Sequence, residues 1–374
     1  MTTTAIQDDF DTLWMRRALS LAEQGIFSTA PNPRVGCIII KDNYVLGEGW
    51  HARAGEAHAE VLALRQSGED ANGATAYVTL EPCAHYGRTP PCADALITAG
   101  INRVVVACRD PNPLVAGQGI ARLRAAGIIV REGICEKEAL NINSGFFRRI
   151  TTGRPFVTLK LAASLDGRTA LSNGESQWIT GEAARQDVHK HRLAADAIIA
   201  GSSSILKDNA RLTARYPTPL PVTVPLRVII DSRLQTPLNA AVFDDASPIL
   251  IVCAEHAVAP DYPAHTELLR LPLDRSEHIP LSTVLDALGK RGVNNAFVEA
   301  GAALAGAFVQ QQLADEILLY LAPCFLGQDA RSLIQLPLIS RLSDRMRVHI
   351  QDCTPLDADL RLRFTLEKTC LQAS

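Results

Sequence analysis

The chain has 374 residues, enough for two domains, since single hydrophobic cores rarely grow past roughly 250–300 residues. Its residues are 47% hydrophobic and 21% charged, which is ordinary for a globular protein, and the formal net charge is −3. No basic domain or tail is present, so the electrostatic footprint of a long nucleic acid is missing and a small-molecule ligand fits better. Nine scattered cysteines, an odd number, suggest buried thiols in a reducing compartment rather than a disulfide framework. The polar, acidic amino terminus lacks the features of a secretory signal, and no apolar run is long enough to span a membrane. These features lead us to expect a cytoplasmic protein.

In chain order, Leu13, Arg17 and Leu21 recur at helical spacing and predict a helix over 12–24, stopped by Gly25. Segments 35–40 and 44–49 flank Lys41-Asp42-Asn43 and read as a hairpin. A helix over 57–66, a strand over 76–80, a helix over 92–99 and a strand over 103–107 follow. A helix over 119–126, a strand over 128–131 and one helix over 136–149 complete the first part. Thr151-Thr152-Gly153-Arg154-Pro155 breaks the pattern and divides the chain into domains 1–152 and 153–374. Strands over 156–162, 197–201, 226–231, 249–253, 295–299 and 316–321 then alternate with helices over 181–192, 281–290 and 302–311. Segment 361–367 closes the second domain as a strand. Helices interleaved with short apolar strands imply α/β layering in both halves.

His58-Ala59-Glu60, then Pro82-Cys83 and Cys92, supply three metal ligands and one carboxylate that need not be a ligand. Structural zinc sites are usually closed by four protein ligands, whereas catalytic sites use three and leave a position to water. A nearby Glu can take a proton from that water and hand it to a leaving amine. The H-x-E…P-C…C order is the signature of zinc deaminases acting on nucleobase-like rings. Here eight residues separate Cys83 from Cys92, where the commoner form has two. Cys92 starts a helix, and helix amino termini favour thiolates.

Pro31-Asn32-Pro33-Arg34-Val35-Gly36, the stretch His51 to Val61, the stretch Leu80 to Cys92, and Asp110-Pro111-Asn112-Pro113 resemble the deaminase half of the bacterial RibD family. These are the bifunctional deaminase–reductases of riboflavin biosynthesis. The resemblance implies a cytidine-deaminase-like three-layer α/β/α domain with one zinc ion on His58, Cys83 and Cys92. It implies Glu60 as the proton-transferring residue and hydrolytic loss of the ring 2-amino group from a diaminopyrimidinone ribosylamine phosphate. Asn32, His51, His85 and Arg88 would hold the substrate. An Asn can read a ring edge, and His and Arg can meet a phosphate. Asn32 between prolines is also a natural turn residue, and Arg88 on a Gly-Arg-Thr loop also suits a solvated charge. Gln118 stands where a basic residue is expected.

The second half has no G-x-G-x-x-G fingerprint after its first strand. Segment 299–306 instead runs from a strand end into a small-residue helix start, which suits a phosphate or simply tight packing. The stretch Leu159 to Arg168, Glu175 to Thr180, Asp208, Leu212 to Arg215, and Val298 to Gly301 resemble the reductase half of the same family. That implies a dihydrofolate-reductase-like α/β domain that uses NADPH to reduce the ribosyl group to ribityl. Ser176, Arg192, Leu212, Arg215 and Glu299 would face substrate. Ala162, Trp178, Ser204, Asp208, Ser232 and the turn Gly301, Ala302, Ala303, Leu304, Ala305, Gly306 and Ala307 would face the cofactor. Lys160 lies inside an apolar strand, where an unpaired charge is costly, so Lys160 and Glu299 are expected to orient or protonate the opening sugar. Ala210 departs from the family's usual Pro. A homo-oligomer, dimer or tetramer, is expected, with no nucleic-acid or membrane partner. Two rivals are a nucleobase or tRNA deaminase with an unrelated tail, and a zinc-stabilised nucleotide- or RNA-binding module without turnover. The long Cys83–Cys92 insertion argues against the first, and Glu60 beside a three-ligand site against the second.

Overall fold

Helix α1 (Thr3–Ala22) opens the chain in the computed structural model, which describes residues 3–84, 90–113 and 115–367, with no side chains described for 3–6. The hairpin β1 (Gly36–Lys41) and β2 (Tyr44–Trp50) turns at Asp42 and Asn43. Their φ values of 51° and 68° give the paired positive-φ geometry that matches strand twist in two-residue hairpins. Helix α2 (Ala59–Ser67), β3 (Thr75–Val78), α3 (Cys92–Thr98) and β4 (Arg103–Val106) follow. Next come α4 (Gln118–Ala125), β5 (Ile129–Glu132), α5 (Glu136–Ile142) and α6 (Ser144–Thr152). The five strands order as β2-β1-β3-β4-β5, antiparallel across the first three and parallel from β3 to β5.

Alternation along these strands feeds two helical layers. Cys37, Ile39, Ala76, Val78, Val104 and Val106 pack against α2, α3 and α4 through Ala59, Ala63, Leu96 and Leu123. Ile38, Ile40, Tyr77 and Val105 pack against α1 and α5 through Met15, Ala18 and Ala139. Gly49 lets α2 settle onto β2, because a Cβ there would lie 2.3 Å from the Ala59 carbonyl oxygen. This close approach sets the height of the α2 amino terminus.

The single helix expected over 136–149 is two. Asn143 interrupts it, and its side chain pairs with both backbone groups of Arg34, accepting from the N–H and donating to the carbonyl, each at 2.8 Å. A side-chain amide that finds a backbone partner elsewhere competes with helix continuity. The break expected after residue 152 falls at the end of α6. Helix α6 runs through Thr152, Gly153 ends it at φ 76°, and the two compact units meet in sequence at Arg154 and Pro155. Residues Thr218–Thr223 group with the first unit, which no composition shift announced.

The second unit contains β6 (Phe156–Ser164), β7 (Arg168–Ala170), α7 (Glu182–Ala194), β8 (Ala197–Gly201) and α8 (Ser202–Asp208). It continues with β9 (Leu226–Ile230), β10 (Ile249–Ala254), β11 (Thr266–Leu271), α9 (Leu281–Lys290), β12 (Asn295–Glu299) and α10 (Ala302–Gln310). Last come β13 (Glu316–Ala322), β14 (Arg331–Ser332), β15 (Val348–Leu356) and β16 (Asp359–Leu366). Nine strands form one sheet, β11-β10-β9-β8-β12-β6-β13-β16-β15, parallel from β11 to β13 and antiparallel beyond. Helices α9 and α10 cover one face through Leu285, Leu288 and Phe308. On the other face, Ala184 and Val188 of α7 pack against Phe297, Leu318 and Tyr320, and Ile205 of α8 against Ile198 and Ile229. Elements β7, α8, β11, β14 and β15 were not expected from sequence. No described helix is long and apolar enough to cross a membrane.

Candidate functional sites

In the first unit, the amino termini of two helices meet the loop after β3. His58 is the residue just before α2, Cys92 opens α3, and the Cys92 backbone N–H donates to Cys83 Sγ at 3.3 Å. The ligand atoms of His58, Cys83 and Cys92 lie within 4.8 Å of one another, with His58 Nδ1 3.2 Å from Cys92 Sγ and 3.7 Å from Cys83 Sγ. A tetrahedral zinc ion with bonds of about 2.1 Å to nitrogen and about 2.3 Å to sulfur spans similar gaps. Among the described residues no fourth His, Cys, Asp or Glu joins this group, so the donor set fits zinc with one open position.

The three ligands share protons among themselves. The hydrogen bond from the Cys92 thiol draws Cys83 down to about 4 against burial, with His58 assisting, while that same contact and burial push Cys92 up. His58 is raised by its contact with Cys83. Such a set exchanges its protons for a cation. Glu60, in the first turn of α2, is 3% exposed, and burial pushes its carboxyl up to about 7, opposed by His58 and aided by Cys83. A divalent cation beside it favours the carboxylate, so Glu60 can hold or release a proton near neutral pH.

His51 is hydrogen-bonded at both ring nitrogens. It is buried, with Nδ1 3.1 Å from the Ala57 carbonyl oxygen and Nε2 3.0 Å from Asn32 Nδ2. Nδ1–H donates to the carbonyl and Nε2 accepts from the Asn32 amide, a neutral tautomer consistent with a pKa lowered by burial. Both ring nitrogens are thereby occupied, so His51 reaches a ligand only through Asn32. The His51 ring also meets the His58 ring edge-on at 5.3 Å. His85 and Arg88 lie outside the described residues. Arg122 Nη1 donates to the Ala84 carbonyl at 3.2 Å, and its Nε pairs with Asp94 of α3 at 2.5 Å.

Glu81 was missed by sequence reasoning. It is buried beside Pro82-Cys83, and its carboxylate accepts from the backbone N–H groups of Asp110, Gly117, Gly119 and Ile120. Gly119 sits so close to Pro82 that a Cβ would lie 1.9 Å from its carbonyl oxygen. The chain from Asp110 to α4 is thus held against the cysteine loop by one acid. Its signal was an acidic residue next to a proline in an otherwise apolar stretch.

In the second unit, polar groups gather at the carboxyl ends of β12 and β6, where Glu299 pairs in register with Lys160 and, on the other side, with Ala200 of β8. Strand order reverses here, the position where open α/β sheets leave a crevice. Phe297 faces α7, so Glu299, two residues on, faces it as well. Arg192 of α7 meets the Glu299 carboxylate two-pronged, through Nε and through Nη2 at 2.8 Å, and its Nη1 donates to the Thr213 carbonyl at 2.9 Å. Burial raises the Glu299 pKa, but Arg192 and then Lys160 outweigh it and hold the carboxylate below the usual range. Burial lowers Lys160, opposed by Glu299 and aided by Arg192. Arg192, expected to face substrate, is largely spent on Glu299 and Thr213.

Leu212 is buried with φ 52°, a left-handed conformation that costs of order 1–3 kcal/mol for a residue with a side chain. It bends the chain so that Thr213 meets Arg192 and Arg215 meets His189 of α7, another residue missed from sequence. Arg215 is exposed. Trp178 is 70% exposed with the Arg185 guanidinium 4.8 Å from its ring centre, and Ser176 is partly exposed nearby in sequence. Ala162 is half-buried on β6, Ser204 half-buried on α8, and Ser232 half-buried just past β9, while Asp208 is exposed at the end of α8.

Helix α10 starts at the end of β12 with no side-chain cap, and Gly301 has open space where a Cβ would stand. Leu304 lies close to Gly201 at the end of β8. Uncapped first-turn amides over open space fit a cofactor phosphate. The turn expected to face the cofactor contracts, however. Ala305 is fully buried, and Gly306 packs on the Gln335 backbone, where a Cβ would come within 1.9 Å of its carbonyl oxygen. Those two residues serve helix packing, which leaves Gly301 to Leu304 as the accessible part. Ala307 is half-buried and packs against the α9/α10 core.

Two family models match. The cytidine and deoxycytidylate deaminase zinc-binding region covers residues 8–108, and the RibD C-terminal domain covers 155–362. The riboflavin biosynthesis protein RibD of Escherichia coli K12 is 46% identical over 371 residues, covering 96% of this chain and 99% of that protein. A solved structure of Acinetobacter baumannii RibD aligns at TM-score 0.88 with 44% identity, over 96% of this chain and all of that one. A Thermotoga maritima diaminohydroxyphosphoribosylaminopyrimidine deaminase/5-amino-6-(5-phosphoribosylamino)uracil reductase aligns at TM-score 0.87 with 33% identity, with the same coverage.

Replacing Glu81 by Ala strands four buried or half-buried amides. Amide hydrogen exchange at Gly117, Gly119 and Ile120 is expected to quicken at least about tenfold, with roughly 2 kcal/mol or more lost from stability. Unchanged exchange at these amides would remove Glu81 from the account of the loop.

Proposed function

The chain belongs to the RibD family, with a cytidine-deaminase-like first half and a RibD reductase second half, and from this we propose how its residues divide two consecutive reactions. It is a bifunctional riboflavin-biosynthesis enzyme, a zinc-binding deaminase and an NADPH-dependent reductase. The deaminase domain is taken as 1–152 and the reductase domain as 153–374. The substrate of the first is 2,5-diamino-6-(5-phosphoribosylamino)pyrimidin-4(3H)-one, and that of the second is the resulting 5-amino-6-(5-phosphoribosylamino)uracil. The observation that carries the first assignment is the His58, Cys83 and Cys92 triangle with Glu60 buried beside it.

His58, Cys83 and Cys92 would hold zinc, which would supply a Lewis acid that lowers the pKa of the attacking water. Glu60 takes the proton that water loses as its oxygen bonds to ring C2, and a Glu60 Oε then returns the proton to the departing 2-amino nitrogen, which leaves as ammonia. Asn32, aimed by His51, holds the ring edge through its free amide atoms, and His85 and Arg88 complete the grip on the substrate.

NADPH supplies the hydride of the second reaction. Gly301 to Leu304 would hold its phosphate at the α10 amino terminus, and Ala162, Trp178, Ser204, Asp208 and Ser232 would contact the rest of it. Lys160 Nζ, lowered by burial, gives a proton to the ribosyl ring oxygen as the sugar opens. Glu299, held ionised by Arg192, orients the sugar by accepting from its hydroxyls. Ser176, Leu212 and Arg215 receive the rest of the substrate, with Arg215 suited to the phosphate.

The protein is cytoplasmic on this reading and self-associates as a dimer or tetramer. Val348 and Ile350 support the latter, being about half exposed on β15 at the end of the nine-stranded sheet. Sedimentation at the mass of one chain would contradict it. The two activities separate in one assay that follows ammonia and NADPH absorbance together. Glu60→Gln is expected to retain zinc and lose ammonia release at least about a thousandfold, while still oxidising NADPH when given the deaminated intermediate. Ammonia release surviving in this variant would overturn the role of Glu60, and ammonia release without NADPH oxidation in the unaltered chain would overturn the second assignment.

A further inference from the structure

Helix α7 sends two side chains, one turn apart, to the segment that follows α8. Arg192 Nη1 donates to the Thr213 carbonyl at 2.9 Å, and His189 Nδ1 accepts from the Arg215 backbone N–H at 3.3 Å. His189 Nε2 also lies 3.3 Å from Arg215 Nη2; with Nδ1 accepting, Nε2 carries the ring proton, so this approach is a packing contact and the backbone bond is the one that holds. The segment between is bent by Leu212 in its left-handed conformation and has no helix or strand of its own. The Arg215 side chain is long and exposed.

We propose that His189 is a positioning residue of the reductase site, which aims the Arg215 guanidinium at the substrate phosphate by holding the Arg215 backbone against α7. The proposal rests on the reading of Arg215 as a phosphate-holding residue. A guanidinium carried on an unstructured segment samples many directions, and each bond that pins its backbone removes part of that freedom before the substrate arrives. Arg192 is committed to Glu299, whereas Arg215 is exposed, and α7 holds both.

The electrostatics keep the acceptor available. The charged groups facing His189 are Arg192 on its own helix, Arg215 on the segment it holds and Glu299 at the end of β12. Burial and the two arginines lower the His189 pKa, against the smaller opposing pulls of Glu299 and of a hydrogen bond to the Thr213 backbone. The ring is therefore neutral at pH 7, and Nδ1 accepts the Arg215 N–H. Protonation would remove that acceptor and place a third cation among two arginines.

The test measures NADPH oxidation with 5-amino-6-(5-phosphoribosylamino)uracil, using ammonia release by the same chain to report that it remains folded. His189→Leu is expected to raise the KM for this substrate roughly five- to tenfold, with kcat and the KM for NADPH within about twofold of the unaltered chain. His189→Asn places an oxygen where Nδ1 stood and is expected to return KM to within about twofold, whereas His189→Gln, which lacks an acceptor there, is expected to resemble Leu. If His189 acts through Arg215, adding His189→Leu to Arg215→Ala changes KM by less than about twofold. Should the Leu variant also lose ammonia release, the Asn and Gln variants carry the comparison. The proposal is overturned if KM is unchanged in the Leu and Gln variants, if Asn fails to restore it, if kcat falls in place of a rise in KM, or if the His189 effect is undiminished without Arg215. An unaltered chain that oxidises no NADPH with this substrate overturns the reductase reading, and the proposal with it, before any variant is compared.

Discussion

Charged groups in this α/β protein gather where strands end and helices begin, and Lys160, enclosed within β6, is tolerated by its pairing with Glu299 at the end of β12. Within the sheets the strands are sealed by apolar neighbours on both faces, as with Val104 to Val106 and Ile198 to Ala200. At the strand ends, helices begin, and their first amides lack partners. In the first unit these amides meet thiols, and the Cys92 N–H on Cys83 is the direct instance. In the second, the end of β12 delivers Glu299 and then the open start of α10.

Each site pairs one buried acid with a partner that decides its protonation, and the two outcomes are opposite. Glu60 lies among thiols, and burial lifts it to about 7 against His58, a backbone hydrogen bond and a hydrogen bond from Cys92. Glu299 is equally enclosed but is met by the fork of Arg192 and by Lys160, and it stays ionised. The first acid suits shuttling a proton, and the second suits holding a substrate hydroxyl. Two carboxylates of the same chemistry thus take different work from their surroundings.

Much of the first site was legible because its information is local. Three ligands and one acid carry their chemistry in residue type and spacing, and the helix starts at His58 and Cys92 follow from simple stop and start signals. What stayed hidden depends on distant partners. His51 could be seen as a functional histidine, but not that Asn32 and the Ala57 carbonyl occupy both its nitrogens. The pairing of Asn143 with Arg34, which splits a continuous helical pattern, joins residues 109 positions apart. In the second unit, Lys160 and Glu299 become neighbours only through the register of β6 and β12. Strands β11 and β15 escaped because they lie at the two ends of the sheet order, where one-sided burial blurs alternation, and α8 because a serine-rich start reads as a loop. His189 had a usable signal, three residues before Arg192 on one helix face, but only the bend at Leu212 reveals what it touches.

The central claim is that one chain carries two chemically independent sites, of which only the first depends on metal. The most direct measurement strips zinc with a chelator and supplies each substrate in turn while NADPH absorbance is followed. With the deaminated aminouracil, NADPH oxidation is expected to continue at an unchanged rate. With the diaminopyrimidinone, both ammonia release and NADPH oxidation are expected to stop and to return when zinc is restored. Loss of NADPH oxidation from the aminouracil on removal of zinc would contradict the account.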